Sequence, residues 1–208
     1  MNSGDLIIVG AGGHCRIVID AAVSSGYNVL GIIDLGYKGQ EERILGINVM
    51  GGLDALDNHD ASNTSIFIAI GDNDTRKTNF ESLTSRGFAT PSIVHPTAVL
   101  SQHISIGDGT LINAGAVVNA GAEIGECCII NTSASIDHET IIGNFSHIAP
   151  GVTIGGRSKV GNSTFVGLGS SIIDFISIGD DVTIGAGSTI IKDVASGSRV
   201  VGLGRILE

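Results

Sequence analysis

The segment Asp137-His138-Glu139 places an imidazole next to a carboxylate, a pairing that is suited to moving a proton. Histidine changes charge near neutral pH, so it can take a proton from an attacking nucleophile. The adjacent Glu139 can orient the ring and raise its basicity. A histidine alone on a surface is usually only solvated, so the assignment depends on what positions His138. No serine, cysteine or lysine nucleophile with a nearby partner is visible.

A second chemical feature is the turn Gly10-Ala-Gly-Gly-His14, which follows an apolar segment and precedes a helical pattern. Backbone N–H groups at such a turn can bind an anion, and glycines let a phosphate come close. Asp34 and Gly71 end the next two buried strands. Ligands of such sheets bind at the carboxyl ends of the strands, so the three turns should converge on a nucleotide. The alternative is that these glycines only form tight turns and a helix cap.

A six-residue period governs the second half of the chain. From Ile106 to Ile190, fifteen successive residues at this spacing are Ile or Val. Such hexapeptide repeats predict a parallel β-helix, in which each unit is a short strand plus a corner and three units form one coil. Mostly small residues lie two positions before each Ile or Val and should fit the corners. Glycines recur at intervals of 18, where we expect a positive φ: Gly107, Gly125, Gly143, Gly161 and Gly179.

The first part of the chain alternates strand and helix patterns instead. Strands are predicted at 6–9, 29–33 and 66–70, helices after Gly13 and from about Asp74 to Arg86, and a hairpin or loop at 44–52. The first helix has apolar residues at Ile17, Val18, Ala21 and Ala22. This order predicts a small parallel sheet with helices on both faces. We therefore expect a Rossmann-like nucleotide-sugar-binding domain over residues 1–95 and a β-helix domain over residues 96–208.

Composition excludes several classes of function. The net charge of −10 disfavours a nucleic-acid partner, and no apolar run approaches the length needed to span a membrane. Cys15, Cys127 and Cys128 are an odd set without C-x-x-C spacing, which argues against disulfides and a zinc site. Cys127 and Cys128 should straddle the wall of the β-helix as structural filler, one inward and one outward. Reduced thiols and a start directly in a strand predict a cytoplasmic location.

Together, these residues resemble the family of sialic acid O-acetyltransferases and sugar-nucleotide N-acetyltransferases. That family includes bacterial enzymes that acetylate the 4-amino group of UDP-linked dideoxy sugars. The resemblance covers nearly the whole chain and is carried by the following segments: Gly10–His14, Asp34, Ile68–Asn73, Arg76-Lys77, Asn131–Glu139 and Ile142–His147. It implies that the β-helix is left-handed. It also implies an acetyl-CoA-dependent acetyltransferase without a metal, active in surface glycan or glycoprotein biosynthesis on a nucleotide-linked 4-amino-4,6-dideoxy sugar.

The resemblance also implies roles for individual residues. His138 corresponds to the catalytic base and Glu139 to the residue that tunes it. Acetyl-CoA would contact His147 and backbone groups near Gly156 and Leu168. The nucleotide sugar would contact these residues: Gly12, Gly13, His14, Asp34, Leu35 and Gly71. The tail Val201–Glu208 lacks the proline and alanine of the G-x-P-A-K-like ending common in the family, which leaves the adenine contacts unassigned.

Four alternatives compete with an amino-sugar N-acetyltransferase. Sialic acid O-acetylation is closest, although a polar His14 could contact an amine. A zinc enzyme like the γ-class carbonic anhydrases needs three converging histidines, whereas His103 should lie about two coils from His138. A non-catalytic sugar-nucleotide-binding solenoid leaves the His138–Glu139 pair unexplained. A nicotinamide-dependent oxidoreductase would have a third glycine where Cys15 stands.

The spacing of the two histidines bears on mechanism and assembly. His147 should point outward from a flat face, half a coil from His138 and roughly 12–15 Å away. One site cannot use both from a single chain, so we expect a homotrimer with active sites at its subunit interfaces. Transfer would be direct, with His138 taking a proton as the nucleophile attacks the thioester. The amide of Gly156 is a candidate to stabilise the oxyanion.

Overall fold

The computed structural model describes residues 4–202 and 205–207 as an α/β portion followed by a left-handed parallel β-helix. The α/β portion contains β1 (Asp5–Val9), α1 (Gly13–Ser24), β2 (Asn28–Ile33), β3 (Arg43–Ile44), β4 (Ile47–Gly51), a 3-10 helix (Leu53–Asn58), β5 (Ser65–Ile68) and α2 (Asn73–Ser85). Its strand order is β3-β4-β2-β1-β5, and all pairs are parallel except the β3–β4 hairpin. The expected strands, helices and hairpin are therefore present.

Both helices pack on the sheet because alternate residues of β1 face opposite sides. Leu6 and Ile8 belong to the cluster that includes the buried face of α1, and Ile7 and Val9 to the cluster that includes Phe80 of α2. The prediction of helices on both faces is correct. Ile17 is 37% exposed and lies outside the buried stripe of α1. Val18 and Ile19 take the buried stripe, because successive helical residues are rotated by about 100°.

The β-helix is built from strands of two or three residues that form three faces, and the strands of each face pair in parallel. The first face, named here the docked face, contains β6 (Ile93–Val94), β9 (Leu111–Ile112), β12 (Ile129–Ile130), β15 (His147–Ile148), β18 (Phe165–Val166), β21 (Thr183–Ile184) and β23 (Arg199–Val201). The second contains β7 (Val99–Leu100), β10 (Val117–Val118), β13 (Ser135–Ile136), β16 (Thr153–Ile154), β19 (Ser171–Ile172) and β22 (Thr189–Ile190). The third contains β8 (Ser105–Ile106), β11 (Glu123–Ile124), β14 (Ile141–Ile142), β17 (Lys159–Val160) and β20 (Ser177–Ile178).

The aliphatic period forms the core of this helix. Each Ile or Val stacks on its equivalent 18 residues away, as in the register Ile130↔Ile148↔Val166. All three are fully buried, and each such side chain contributes about 2 kcal/mol by leaving water. The two cysteines straddle the wall as expected: Cys128 lies in this core, and Cys127 lies outside it under α2.

The small residues at the corners do more than fit the space. Ser146 Oγ donates to Gly161 O at 2.7 Å and accepts from Thr164 N at 3.0 Å. Thr164 Oγ1 repeats the pattern with Gly179 O and Val182 N. A buried corner leaves backbone groups without a ladder partner, and a short hydroxyl supplies both a donor and an acceptor there.

The glycines at 18-residue intervals have a different purpose from the one predicted. None of them has a positive φ; that conformation occurs two residues later, at Cys127, Phe145 and Ser163 among others, with φ of 50, 61 and 52°. At Gly143, a Cβ would lie 2.7 Å from Asn162 N and from Gly161 C of the next coil. These glycines are therefore required by the close approach of backbones rather than by a left-handed φ.

The α/β portion packs on the docked face. Leu111 and Ile129 point away from the β-helix core, yet they are buried in the cluster that includes α1 and β1. On the other side of the sheet, Phe80 of α2 meets Phe145 edge-on with 5.8 Å between ring centroids. The strand β6 already belongs to the β-helix, and a boundary between residues 95 and 96 stays a prediction.

The chain ends beside the docked face, where β24 (Arg205–Leu207) pairs antiparallel with β23. Residues 203, 204 and 208 of the atypical tail lie outside the described residues. Within the described residues, no helix has the length and apolar character needed to cross a bilayer.

Two glycine substitutions should separate steric crowding from backbone conformation. Gly143→Ala should lower the free energy of unfolding by about 3 kcal/mol, because its Cβ meets backbone atoms. Gly151→Ala should cost only about 1 kcal/mol, because Gly151 has a φ of 69° but open space around it. Urea-induced unfolding of both variants measures the difference. An equal or reversed order would contradict the close-approach explanation.

Candidate active site

The carboxyl ends of β1, β2 and β5 form one cavity of about 250 Å³, named here the nucleotide cavity after the ligand that the sequence predicts for it. Its lining includes all the residues predicted to contact the nucleotide sugar: Gly12, Gly13, His14, Asp34, Leu35 and Gly71. Two backbone hydrogen bonds hold the three strand ends together: Gly10 N donates to Ile33 O, and Ala69 N donates to Val9 O. The expected convergence of these turns is observed, while their role in binding stays a proposal.

The glycines of this cavity are of two kinds. Gly10 has a φ of 110°, and a Cβ there would lie 2.8 Å from Ile70 Cγ1, so the fold itself requires glycine. Gly12, Gly13 and Gly71 have neither a positive φ nor any atom within 4 Å of a Cβ position. Nothing in this chain therefore demands glycine at these three positions. Their missing side chains leave room at the N-terminus of α1, which no side chain caps.

Asp34 is placed at the rim by a local bond, because its Oδ1 accepts from Gly36 N at 3.0 Å. A larger cavity of about 510 Å³ lies nearby, between Tyr37 and the β3–β4 hairpin. None of the residues that line this larger cavity is a glycine, and none belongs to the ends of β1, β2 or β5. The smaller cavity is therefore the better candidate for the phosphate-bearing part of a ligand.

A buried guanidinium lies behind the cavity. Arg76 is 1% exposed and forms no ion pair among the described residues. Its donors instead contact five oxygens of α2, the cavity wall and the β-helix: Ile70 O, Gly71 O, Asn73 Oδ1, Cys127 O and Phe145 O. A guanidinium has five N–H groups, so all of them have partners. Arg76 thus joins the cavity wall to the β-helix.

Two histidines lie next to this cation. His14 lines the cavity, and its ring centroid is 6.1 Å from that of His147. Burial, and then the charge of Arg76, lower the pKa of each ring to about 4. Both histidines are therefore neutral at physiological pH. Among the described residues, His14 Nε2 is a buried polar atom with no hydrogen-bond partner.

His147 points outward from a flat face of the β-helix, as predicted. The side chain does leave the β-helix core, but the α/β portion covers it and only 9% remains exposed. It contacts Gly71 and Phe165, at the border of the nucleotide cavity. The sequence pattern gave the direction of the side chain, whereas the covering domain could not be inferred from the repeat. A contact of His147 with acetyl-CoA stays a prediction.

The pair His138–Glu139 occupies the edge between the second and third faces, named here the far edge. The His138 side chain is 52% exposed, and its Nδ1 lies 3.2 Å from Glu139 Oε2. The same oxygen accepts from Arg157 Nε at 2.7 Å. Hydrogen bonds from Arg157 first, and from His138 second, lower the pKa of Glu139, so its carboxylate is ionised. The adjacency predicted from sequence becomes a direct contact.

Gly156 lies one coil above His138 at the same edge. A Cβ at Gly156 would be 2.6 Å from His138 Nε2, so the imidazole packs directly over this glycine. The Gly156 amide already donates to Asp174 Oδ1 at 2.9 Å. The expectation that this amide stabilises an oxyanion is therefore wrong in this arrangement. Contact of Gly156 with acetyl-CoA stays a prediction, as does contact of the exposed Leu168, which lies at the edge between the docked and second faces.

The two halves of the candidate site lie on opposite sides of one chain. The nucleotide cavity belongs to the portion on the docked face, and the far edge is the edge of the prism opposite that face. No group of three or more His, Cys, Asp or Glu residues that could hold a metal occurs within residues 4–202. The candidate chemistry therefore lies in one anion-accepting cavity and one imidazole–carboxylate pair.

Sequence reasoning missed the roles of Arg76 and Arg157. Arg76 appeared only as part of a motif, although it shares the buried stripe of α2 with Phe80 and Leu83. An arginine at spacings of four and seven from core residues was the available signal. Arg157 lies 18 residues after Glu139, which is one coil of the repeat, and could have been paired with it.

A β-helix of hexapeptide repeats with a docked α/β portion is an architecture that this chain shares with solved acetyltransferases, and the comparisons specify the family. Residues 5–83 match the model of the PglD N-terminal domain. The acetyltransferase domain of PglB from Neisseria gonorrhoeae FA1090 is 32% identical with a TM-score of 0.91, and 98% of this chain and 99% of that chain are covered. The chain belongs to the family of sugar-nucleotide acetyltransferases. It is therefore an acyltransferase, and its co-substrate is acetyl-CoA.

Further structures agree. A variant of perosamine N-acetyltransferase from Caulobacter crescentus, solved in complex with CoA and GDP-perosamine, is 32% identical with a TM-score of 0.94, covering 99% of this chain and 98% of that one. WeeI from Acinetobacter baumannii AYE is 23% identical with a TM-score of 0.86, covering 99% and 100%, and supports the fold alone. A search of curated proteins gave no match.

The two neutral histidines predict how stability changes with pH. Their pKa is about 4 when folded and 6.5 ordinarily, so the unfolded chain binds more protons between these values. The stabilisation is fully present above pH 6.5 and falls as the pH drops towards 4. From pH 7 to 5.5 the free energy of unfolding should fall by about 1 kcal/mol per histidine. Urea unfolding at both pH values measures this loss, and His147→Asn should remove about half of it. A pH-independent wild type would contradict the neutral pair.

Proposed function

We propose that this protein transfers an acetyl group from acetyl-CoA to the amine of a nucleotide-linked 4-amino-4,6-dideoxy sugar. Its product would serve surface glycan or glycoprotein biosynthesis. The observation that carries the proposal is the cavity at the ends of β1, β2 and β5. Three glycines there leave open space, although neither their φ angles nor contacts with the described residues require glycine. A relative of 32% identity, solved with CoA and GDP-perosamine, supports the same substrate class.

The nucleotide sugar would occupy this cavity with its diphosphate at the start of α1. Gly12 and Gly13 let the phosphate approach uncapped amides there, and Asp34 and Leu35 border the nucleoside. His14 and Gly71 line the inner wall. The neutral state of His14 suits it to hydrogen bonding with a polar group of the sugar, since its Nε2 has no hydrogen-bond partner among the described residues.

His138 would act as the general base from the far edge. Its Nδ1 faces the ionised Glu139, so Nδ1 carries the proton and the Nε2 lone pair remains for the substrate. The amine nitrogen attacks the thioester carbonyl carbon, and its proton passes to Nε2. The C–S bond then breaks, the CoA sulfur leaves, and the imidazolium returns the proton to it. No covalent enzyme intermediate is required.

Assembly follows from the separation of base and cavity. Because His138 lies at the edge opposite the docked face, it cannot reach the nucleotide cavity of the same chain. A neighbouring subunit can supply it. We propose a homotrimer in which the far edge of one prism meets the docked face of the next, with three equivalent sites. Exposed apolar side chains on the far edge, Ile173 and Phe175, support such a contact.

Product analysis tests the reaction. The protein is incubated with acetyl-CoA and a panel of UDP-, dTDP-, GDP- and CMP-linked sugars, each with and without a 4-amino group. An N-acetylated amino sugar is the expected product, with one equivalent of free CoA thiol. Acetylation of a sialic acid hydroxyl instead would favour the alternative reaction. Binding of a sugar nucleotide without turnover would favour a non-catalytic solenoid.

Two substitutions at the far edge should lower turnover. His138→Ala should lower kcat by about 10²–10⁴, the usual contribution of a general base. Gly156→Ala should also lower kcat, by roughly tenfold or more, because its Cβ displaces the His138 ring. Steady-state kinetics with both substrates measure the effects, and circular dichroism checks folding. Normal turnover in folded His138→Ala would refute the base assignment.

Subunit mixing tests the shared site. His138→Ala lacks the base, and Gly13→Phe fills the nucleotide cavity at a position with open space, so each variant alone should be nearly inactive. After dissociation, mixing and reassembly, some interfaces combine an intact His138 with an intact cavity, and activity should return. Mixed trimers without recovered activity would contradict the shared site, as would a monomer by sedimentation that retains full activity.

A further inference from the structure

We propose that Arg157 is a positioning residue for the imidazole–carboxylate pair of the far edge. It fixes the carboxylate of Glu139 beside His138 and offsets the charge of that carboxylate, so that His138 is a free base at neutral pH. The kinetic consequence rests on the proposed function, whereas the effect of Arg157 on the imidazole does not.

The repeat itself places Arg157 directly above Glu139. Four residues that are 18 positions apart occupy one corner of successive coils: Gly121, Glu139, Arg157 and Phe175. Their φ angles are all left-handed, at 77, 56, 58 and 63°. Because the four corners have the same backbone conformation, their side chains leave the prism in the same direction. The residue at this corner of the next coil is therefore the natural partner of Glu139.

Contacts on both sides hold the two charged side chains. Below, the Glu139 Cγ lies only 3.0 Å from the Cβ position of Gly121, so the side chain packs on a corner without one. Above, the guanidinium of Arg157 lies 5.7 Å from the centroid of the Phe175 ring. A planar guanidinium is well suited to stack on an aromatic ring while it donates to a carboxylate. The position of the carboxylate is thus determined by the coils on either side of it.

One oxygen of Glu139 serves two donors. Its Oε2 accepts from Arg157 Nε at 2.7 Å and lies 3.2 Å from His138 Nδ1. A carboxylate beside an imidazole favours the imidazolium, whereas a cation beside it disfavours that state. The hydrogen bond from Arg157 is also the first cause of the lowered pKa of Glu139. Arg157 therefore offsets the charge of Glu139 but leaves its oxygen as the acceptor that orients the ring. An imidazolium could not take the proton of the amine.

The other charges near this corner are held elsewhere. Four further charged side chains flank it: Glu123, Asp137, Lys159 and Asp174. Asp137 Oδ1 accepts from His138 N and from Asn119 Nδ2, and Asp174 Oδ1 accepts from Gly156 N. Glu123 and Lys159 are exposed on the third face and form no ion pair among the described residues. Within the described part of the chain, Arg157 is thus the cation that contacts Glu139.

The pH dependence of kcat/KM tests this role. Arg157→Met keeps the apolar stem and removes the charge, so the remaining charge of Glu139 favours the imidazolium. The pH of half-maximal kcat/KM on the acid side should rise by roughly 0.5 pH unit. Arg157→Lys keeps a cation without the Nε donor and should reverse most of this shift. Because the Arg157 side chain is 54% exposed, neither variant removes a core contact.

A matched control and a double substitution show whether Arg157 acts through Glu139. Lys159→Met removes the same charge from a side chain that does not contact the pair, and it should leave the profile unchanged. In a Glu139→Gln background the carboxylate charge is absent, so Arg157→Met should no longer shift the profile. The proposal is overturned by an unshifted or downward profile in Arg157→Met, by an equal shift in Lys159→Met, or by an equal shift in both backgrounds.

Nuclear magnetic resonance tests the same contact without substrates. In the assembled protein labelled with ¹⁵N-histidine, His138→Ala identifies the His138 resonances. The ring should take up its proton at a pH roughly 0.5 unit higher in Arg157→Met than in the wild type. An unchanged titration would refute the role of Arg157. If the wild type acetylates no sugar nucleotide, the proposed function fails, and the titration still decides whether Arg157 controls the imidazole, so the two failures are distinguishable.

Discussion

The buried guanidinium of Arg76 is the interaction on which the relation between the two parts of the molecule depends. Burial of a cation without a counter-ion is costly, and only complete hydrogen bonding makes it tolerable. Arg76 meets that condition with oxygens from both parts, including Cys127 O and Phe145 O of the β-helix. Burial, and then the same charge, lower the pKa of His14 and of His147, so both rings stay neutral. One side chain thus links the placement of the nucleotide cavity to its electrostatic state.

The two carbonyls that Arg76 reaches on the β-helix are made available by the corner geometry of that helix. Cys127 and Phe145 both have a left-handed φ, as do the corner residues at every sixth position from 109 to 187. A left-handed residue turns the chain sharply and directs its carbonyl away from the ladder, which costs roughly 1 kcal/mol for a residue with a Cβ. The stacked aliphatic core over-determines these corners, so they can carry cysteine, phenylalanine, serine or glutamate. Side chains with a proposed role, such as that of Glu139, therefore lie on a rigid edge.

Rigidity of this kind separates the proposed tasks of the molecule. The docked face is covered by the α/β portion, whose strand ends form the cavity. The far edge carries an exposed imidazole whose ring is held between Glu139 and Gly156. The Nε2 of the exposed His138 has no hydrogen-bond partner among the described residues. The nucleotide cavity of the same chain lies on the opposite side of the prism. The proposed chemistry is thereby linked to assembly, because a rigid prism cannot bend to bring its own edge to its own cavity.

The sequence by itself determined the elements that repeat or lie close together. The six-residue period specified the inward residues from Ile106 to Ile190, because a β-branched side chain every sixth residue buries only in a three-sided coil. The strand-end glycines and Asp34 specified the cavity, because parallel strands share one carboxyl edge. Tertiary structure decided the rest. His147 is buried because another domain covers its face, Gly143 is small because the next coil approaches it, and the Gly156 amide is taken by Asp174. These outcomes depend on contacts across the fold, and a one-dimensional pattern contains no information about which surface another element will cover.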